Sequence, residues 1–426
     1  MDELVSEGSS RRLYPMFWRW HFFAAVLVIP FVLWQSVSGT LYLWSEWWMD
    51  VHYPELRFVV PTETPTTYAA QVAAALTAMP SAPVQEILVP TDRSRSTTVL
   101  LIGDNDLPVP IFVDPNGARV LGQLSSAEWL PGLSRGLHRG WPFGEPGNWL
   151  LELGNCWAIV MLFTGLYLWW PRGRPFPEVL WPRLHLGPRI MLRELHSCVA
   201  VWFSVVFLFF MVSAMPWTHF WGGVILPQVQ NALDQNSPAG FAVGGASSER
   251  ILESLPTLDA IVQRAREENM AGTFDIKLDP WPGAPWWTTN VHNPPGTDRY
   301  LISDTESGEI LGSYTGASLP LIPAVVAFGI HLHQGDFGPV NLWFNTALAA
   351  ALIWLSATGV LSWWLRRPKG HLAAPPARKI PWPQTLIGTA AIMGIALPLF
   401  GLSILVLIVL DQFIRRFHPK SRGVLS

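Results

Sequence analysis

The chain is written twice. His21 opens an apolar run, and His196 opens another 175 residues later. At the same offset Ser38-Gly39 recurs as Ser213-Ala214. Leu137-His138-Arg139-Gly140 is echoed by Leu332-His333-Gln334-Gly335, each followed by a Phe-Gly pair. Behind these come Thr164-Gly165 and Thr358-Gly359, then Trp169-Trp170-Pro171-Arg172 and Trp363-Trp364-Leu365-Arg366. A duplicated order of this kind confines the fold to two like halves. Each half carries two histidines at the ends of apolar spans. A polar ring near lipid is expensive and usually has a purpose, so matched membrane histidines point to a cofactor.

Half of the 426 residues are hydrophobic and 14% are charged. That is too apolar for an ordinary soluble protein and too polar for one lying wholly in a membrane. Spans plus water-exposed segments are implied. Many of the 24 tryptophans flank the apolar runs, as in an interfacial aromatic belt. A net charge of −3 implies no nucleic-acid partner. Cys156 and Cys198 lie inside apolar runs, which argues against a disulfide framework or a cysteine metal site.

A bilayer core needs about 20 apolar residues as a helix. Phe22–Trp44, Leu153–Trp170, Ser197–Trp217, Leu342–Leu365 and Leu386–Leu410 are read as spans, the second shorter with Glu152 and Asn155 at its start, the fifth with Pro398 inside. The expected order is a cytoplasmic N-terminus and first span over 1–44, an outward segment over 45–148, a second span over 149–171, a cytoplasmic loop over 172–196 and a third span over 197–217. A second outward segment follows over 218–341, then a fourth span over 342–365, a cytoplasmic loop over 366–385, a fifth span over 386–410 and a basic tail over 411–426. Orientation follows the basic residues. Arg11, Arg12 and Arg19 precede span one, and Arg and Lys crowd both short loops. The long segments are acidic instead: 45–148 holds 6 basic and 11 acidic residues, and 218–341 holds 5 and 13. The N-terminus is therefore read as cytoplasmic and the long segments as facing the periplasm of a bacterium. The tail conflicts, since five spans place Arg415, Arg416, Lys420 and Arg422 outside. A re-entrant fifth segment is the alternative.

The long segments repeat as well. In the first, Thr67–Met79 reads as a helix and Val84–Val89, Thr97–Ile102, Val109–Val113 and Ala118–Leu124 as strands. In the second, Leu258–Glu267 reads as the helix and Phe274–Leu278, Trp286–Val291, Tyr300–Ser303 and Glu309–Tyr314 as strands. Asp114-Pro115-Asn116-Gly117 and Asp304-Thr305-Glu306-Ser307-Gly308 supply the turn chemistry of the last hairpins. At this size each α+β module needs its twin or the membrane bundle for stability.

These residues resemble the PepSY-associated transmembrane family of bacterial inner-membrane proteins. The matching pieces are Trp20-His21 and Leu195-His196, the outward module with its Asp-Gly hairpin, and Leu-His-x-Gly…Phe-Gly leading to Thr-Gly…Trp-Trp…Arg. The resemblance spans roughly residues 14–368. It implies a membrane α-helical bundle, four core transmembrane helices in two repeats plus a fifth C-terminal helix, with two small PepSY-like α+β periplasmic modules. Characterised relatives look like haem-containing reductases of ferric siderophores, so the implied activity is transmembrane, haem-dependent ferric reduction during iron acquisition. The family name also covers regulators, which leaves a peptide-binding regulatory or assembly protein, or a siderophore permease, as alternatives.

Within that picture His21 and His196 lie near the cytoplasmic face and His138 and His333 near the outer face. Two pairs suit two b-type haems with axial imidazoles, a ligation that favours electron transfer over oxygen binding. A single histidine at a helix end is more often an interfacial hydrogen-bonding residue; four in duplicate register shift the weight. His331, two residues before His333, cannot face the same ring from a regular helix. The repeat favours His333 as the outer ligand, with His331 the alternative. Small residues (Ala24, Ala25, Gly39, Gly165, Gly359) leave room for a flat macrocycle, and Arg135, Arg139, Arg172 and Arg366 are candidates for its propionates. His219 reads as interfacial, and His52, His185, His292, His371 and His418 as solvated, His292 with a lesser claim to substrate contact. No dinucleotide-binding G-x-G-x-x-G, P-loop, H-E-x-x-H or serine elbow is present. The electron donor is then external, a membrane quinol or a cytoplasmic flavoprotein, and the acceptor a ferric siderophore or another Fe(III) chelate.

Overall fold

The computed structural model describes residues 2–104, 107–173, 175–236, 246–270, 272–291, 298–368, 375–376 and 382–417. The helices in chain order are α1 Asp2–Leu43, α2 Ser45–His52, α3 Pro54–Arg57, α4 Tyr68–Ala78, α5 Leu130–His138, α6 Gly144–Trp169, α7 Phe176–Val179, α8 Pro188–Ala214, α9 Leu226–Ala232, α10 Ser248–Glu267, α11 Leu321–Gln334, α12 Pro339–Arg366, α13 Gln384–Ala396 and α14 Pro398–Phe417. The strands are β1 Val84–Pro90, β2 Thr97–Ile102, β3 Pro108–Asp114, β4 Arg119–Gln123, β5 Thr273–Leu278, β6 Trp286–Val291, β7 Arg299–Ser303 and β8 Ile310–Thr315. Two compact units emerge: a helical unit of 1–37, 139–226 and 347–426, and a sheet unit of 38–138 and 227–346.

Four helical stretches are long and apolar enough to cross a membrane: Leu13–Leu43, Gly144–Trp169, Pro188–Trp217 and Pro339–Arg366. At 1.5 Å per residue the shortest spans about 39 Å. The second begins well before the expected Leu153. Glu152 and Asn155 sit inside it because both are satisfied there. The Glu152 carboxylate accepts from Phe220 N at 2.7 Å and Trp221 N at 3.0 Å, and Asn155 Nδ2 donates to Met211 O at 2.9 Å. Val28, Val32 and Ala158 form one buried contact between α1 and α6. Cys156, Ile159, Met215 and Phe400 form another among α6, the end of α8 and α14.

The expected fifth span is not one helix. The chain breaks at Leu397, and α13 and α14 fold against each other. Pro398 lacks an N–H and drives the residue before it out of helical geometry; Leu397 takes φ −125° and ψ 77°. Gly394 and Gly401 let the two helices touch, since a Cβ on Gly401 would lie 2.7 Å from Gly394 O. The segment read as one fifth span is thus two shorter apolar helices, Gln384–Ala396 and Pro398–Phe417.

In the sheet unit the two expected modules are one sheet. Eight antiparallel strands run in the order β4-β3-β2-β1-β5-β6-β7-β8, so β1 and β5 join the repeats. Ile87 pairs with Ile276 and Leu88 with Asp275 across that seam. The alternation of β1 and β5 sends Ile87, Val89, Phe274 and Ile276 to one face, where they bury against α4 and α10 in a single core. Asp259 of α10 ties the helices together by accepting from Tyr68 N and Ala69 N at the start of α4, 2.7 and 3.1 Å away. The helix expected at Leu258–Glu267 begins ten residues earlier, at a Ser247 cap, and continues through Pro256. In the first hairpin Ala118, not Gly117, takes the left-handed conformation (φ 52°); in the second Gly308 does (φ 70°). The opposite face packs Leu100 and Phe112 against Met49, Leu56 and Trp129. Further along that face lies a charged cluster of buried Glu86 and Asp275 with half-buried Lys277.

Candidate functional site

The four repeat histidines meet in two pairs, one in each unit. In the helical unit His21 on α1 and His196 on α8 are half-buried and close enough to interact electrostatically. In the sheet unit His138 ends α5 and His333 lies in the last turn of α11, their ring centroids 6.1 Å apart with planes at 66°.

Each of three histidines is held by a hydroxyl and flanked by a glycine drawn from one motif. His21 Nδ1 lies 3.0 Å from Thr164 Oγ1, His196 Nδ1 3.1 Å from Thr358 Oγ1, and His138 Nδ1 3.0 Å from Ser38 Oγ. The next residue abuts the ring each time. A Cβ on Gly165 would lie 3.1 Å from His21 Cε1, one on Gly39 3.3 Å from His138 Cε1, and one on Gly359 3.5 Å from His196 Cε1. The Ser/Thr-Gly repeat thus has a physical meaning: a hydroxyl for Nδ1 and space for the ring edge. The duplicated dipeptides were visible in the sequence, but the hydroxyl role was not. In the fourth copy, Ser213-Ala214, the serine hydroxyl donates to Phe210 O at 3.0 Å.

The hydrogen bonds fix the tautomer of the pair in the helical unit. Thr358 Oγ1 donates to Trp354 O at 2.8 Å, and His196 Nδ1 also lies 3.1 Å from Leu355 O, an obligate acceptor. Nδ1 therefore carries the proton and Nε2 the lone pair. Thr164 Oγ1 likewise donates to Met161 O at 2.9 Å, so it accepts from His21 Nδ1. An imidazole so held presents Nε2 to a metal, the arrangement in which a second-shell partner orients a ligand.

His331 has another task. Its Nδ1 lies 2.8 Å from Asp336 Oδ2 and its Nε2 3.2 Å from Asp298 Oδ1. Burial alone would lower its pKa, but the two carboxylates outweigh that and raise it to about 9. A protonated ring with both nitrogens engaged has no lone pair to offer. His333 is the reverse case: burial, with His138 beside it, lowers its pKa to about 3, and it stays neutral. Asn341 and Asn345 donate to Leu332 O, and Asn345 to His333 O, so they cap the turn that carries His333. Neither asparagine nor either aspartate was marked by the repeat.

The remaining candidates scatter. Arg172 donates to Tyr167 O and lies over the Tyr14 and Tyr167 rings, and Arg366 lies over Trp18. Arg135 lies near Tyr42 in the sheet unit. His219 packs on Trp149 at 4.8 Å beside Glu145, and His52 stacks on Trp48 at 3.6 Å. His292, His371 and His418 lie outside the described residues.

The pairs suit a metal whose other positions are already filled. Among the described residues no three His, Cys, Asp or Glu side chains gather to hold an ion. Two facing imidazoles complete six-coordination when a macrocycle supplies four nitrogens. Metal–imidazole bonds of about 2.0–2.1 Å, with ring nitrogen to centroid about 1.2 Å, would put two ligand rings about 6.5 Å apart; the His138 and His333 ring centroids, 6.1 Å apart, lie a little closer than that.

No curated protein matches the chain significantly. A family model does, described as the PepSY-associated TM region, over residues 18–366. That match takes in all four paired histidines, three of the long apolar helices and most of the first, and the chain is a membrane protein of the PepSY-associated TM region family.

Proposed function

We propose that this protein is a membrane oxidoreductase that reduces a ferric siderophore or other Fe(III) chelate, using two b-type haems. The observation that carries the reading is the His138–His333 pair: two half-buried imidazoles at the ends of separate helices, their ring centroids 6.1 Å apart, near the spacing of two imidazoles that share one metal. His138 and His333 would hold one haem, and His21 and His196 the other. Bound haem would supply one-electron chemistry, and holding it by two imidazoles would favour electron transfer over oxygen binding.

The protein's own residues prepare this. Thr164, Thr358 and Ser38 orient three of the rings through Nδ1. Gly165, Gly359 and Gly39 leave the ring edges uncrowded. Asp298 and Asp336 keep His331 charged and out of competition. The charge bias of the sequence supports an inner membrane, with the N-terminus cytoplasmic and the sheet unit periplasmic. Reduction weakens the hold of hard oxygen donors on iron, which releases it. Electrons are drawn from a membrane quinol or a cytoplasmic flavoprotein.

Purified protein should show a low-spin b-type spectrum with two haems per chain, oxidised by an added ferric chelate. Replacing His138 or His333 by alanine should remove one haem and leave the other. A preparation that stays colourless after haem supplementation would overturn the reading and favour a binding or regulatory role for the sheet unit.

A further inference from the structure

The seam between the two halves of the sheet carries ionisable groups that hold no fold core together. Asp275 and Lys277 are two residues apart on β5 and so share a face. Leu88 of β1 pairs with Asp275, which sends Glu86, two residues before it, to the same face. On the other side β6 sets Thr289 opposite Asp275 and adds no charge. From α5, Arg135 lies within electrostatic reach of both carboxylates. Two acids thus face one amine and one guanidinium.

The two acids are not equally satisfied. Both are buried, and Lys277 Nζ serves the pair, 3.0 Å from Glu86 Oε2 and bonded to Asp275 Oδ2. Asp275 Oδ1 is buried and meets no hydrogen-bond partner among the described residues. A buried carboxylate oxygen without a donor is costly, and a proton on it removes the charge. Two carboxylates at one site do not ionise independently. Burial, then the Glu86 charge, raises Asp275 to about 7, while against burial the charges of Lys277 and Arg135 hold Glu86 below its usual range. Asp275 is therefore the member that takes a proton near neutrality. The Lys277 side chain, 28% exposed, gives the cluster its contact with water.

One helix connects this cluster with the imidazole pair. Arg135 and His138 lie three residues apart on α5, on one face and about 4.5 Å apart in rise, and the His138 ring faces His333. We propose that Asp275 is the proton-accepting group of the His138–His333 site, gaining one proton from water as one electron reaches that site and releasing it as the electron leaves. This rests on the haem reading above. The electron comes from the quinol or flavoprotein donor and passes on to the Fe(III) chelate, so each turnover returns Asp275 to its starting state. A unit charge roughly 10–15 Å away moves a pKa by about one unit at an effective protein dielectric of about 20, enough to swing a carboxyl already poised near neutrality. Asp275 touches neither the chelate nor the imidazoles; it balances the charge of the arriving electron.

The test uses the full chain with His196→Ala, which leaves only the His138–His333 haem. Its midpoint potential should fall by about 59 mV in all between about pH 6 and about pH 9, the equivalent of a tenfold change for one electron. Asp275→Asn, uncharged and of the same shape as the protonated acid, should hold the potential at the parent's acid value across that range. Infrared difference spectra at about pH 7.5 should show one protonated-carboxyl band appearing on reduction, absent from Asp275→Asn. A parent potential that does not respond to pH, an equal fall in Asp275→Asn, or a band that survives in that variant overturns the proton uptake while leaving the haem reading intact. Absence of any haem in the parent protein overturns both.

Discussion

His196 Nδ1 lies 3.1 Å from the backbone carbonyl of Leu355, so the ring must donate there and carry its lone pair on Nε2. The Thr358 hydroxyl, which spends its own proton on Trp354 O, reinforces the same tautomer. Thr358→Val keeps the shape and removes the acceptor. Loss of such a partner typically costs 10–100-fold in metal affinity. Because Leu355 O remains, the expected loss in haem affinity is about 10-fold, at the low end of that range, and confined to one site. Haem titration followed by absorbance would show it; unchanged affinity at both sites would remove the hydroxyl from the account.

The two glycines of the helical-unit pair make a sharper comparison. A Cβ on Gly165 would stand 3.1 Å from His21 Cε1, tighter than ordinary contact, whereas one on Gly359 would stand 3.5 Å from His196 Cε1. Overpacking a fitted site costs typically about 1–3 kcal/mol. Gly165→Ala should therefore displace the His21 ring and lower haem occupancy, and Gly359→Ala should be close to neutral. Haem-to-protein ratios of the two variants, purified in parallel, decide the matter. Equal ratios would mean the glycines serve helix packing alone.

Much of this architecture is legible in the sequence, and the failures have physical causes. The positions of the strands are readable because alternation and turn residues are local. The merger of two modules into one sheet was not, since β1–β5 pairing joins segments nearly 190 residues apart and leaves no local mark. The pairs of histidines followed from the repeat. What the repeat did not encode was the environment: Asp298 lies far from any duplicated motif and Asp336 has no counterpart in the first copy, yet together they engage both ring nitrogens of His331. The break in the fifth apolar run turns on one residue, Pro398, whose effect on Leu397 interrupts the helix within an unbroken series of apolar side chains.

His331 carries its own pH signature. Its folded pKa, about 9, lies above the ordinary 6.5, so its clamp contributes stability fully below pH 6.5 and loses it as pH rises through 9. His331→Gln leaves two carboxylates facing a neutral amide, and removing one partner of a buried ion pair costs about 3–5 kcal/mol. The variant should melt well below the parent at pH 6, with the gap closing toward pH 9.5, while its haem spectrum stays bis-imidazole. A high-spin spectrum in this variant would instead return His331 to the ligand set.

The charged cluster on the sheet offers a test independent of haem. Lys277 Nζ lies 3.0 Å from Glu86 Oε2 and pairs with Asp275 on its own strand. Burial, then the Glu86 charge, raises Asp275 from 3.8 to about 7 against the pull of Lys277 and Arg135, while Glu86 itself is held below its usual value. A raised carboxylate favours the fold while protonated. Its contribution is present below pH 3.8 and shrinks as pH climbs to about 7. Asp275→Asn should therefore stabilise the protein at pH 8 and flatten its stability between pH 4 and 7. Lys277→Met should do the opposite, costing about 3–5 kcal/mol at pH 8 by leaving two buried carboxylates without their cation, and less at pH 5, where Asp275 takes a proton. Thermal unfolding in detergent across that range reads both slopes. An Asp275→Asn variant less stable than its parent at pH 8 would show that Asp275 is ionised and paired in the fold.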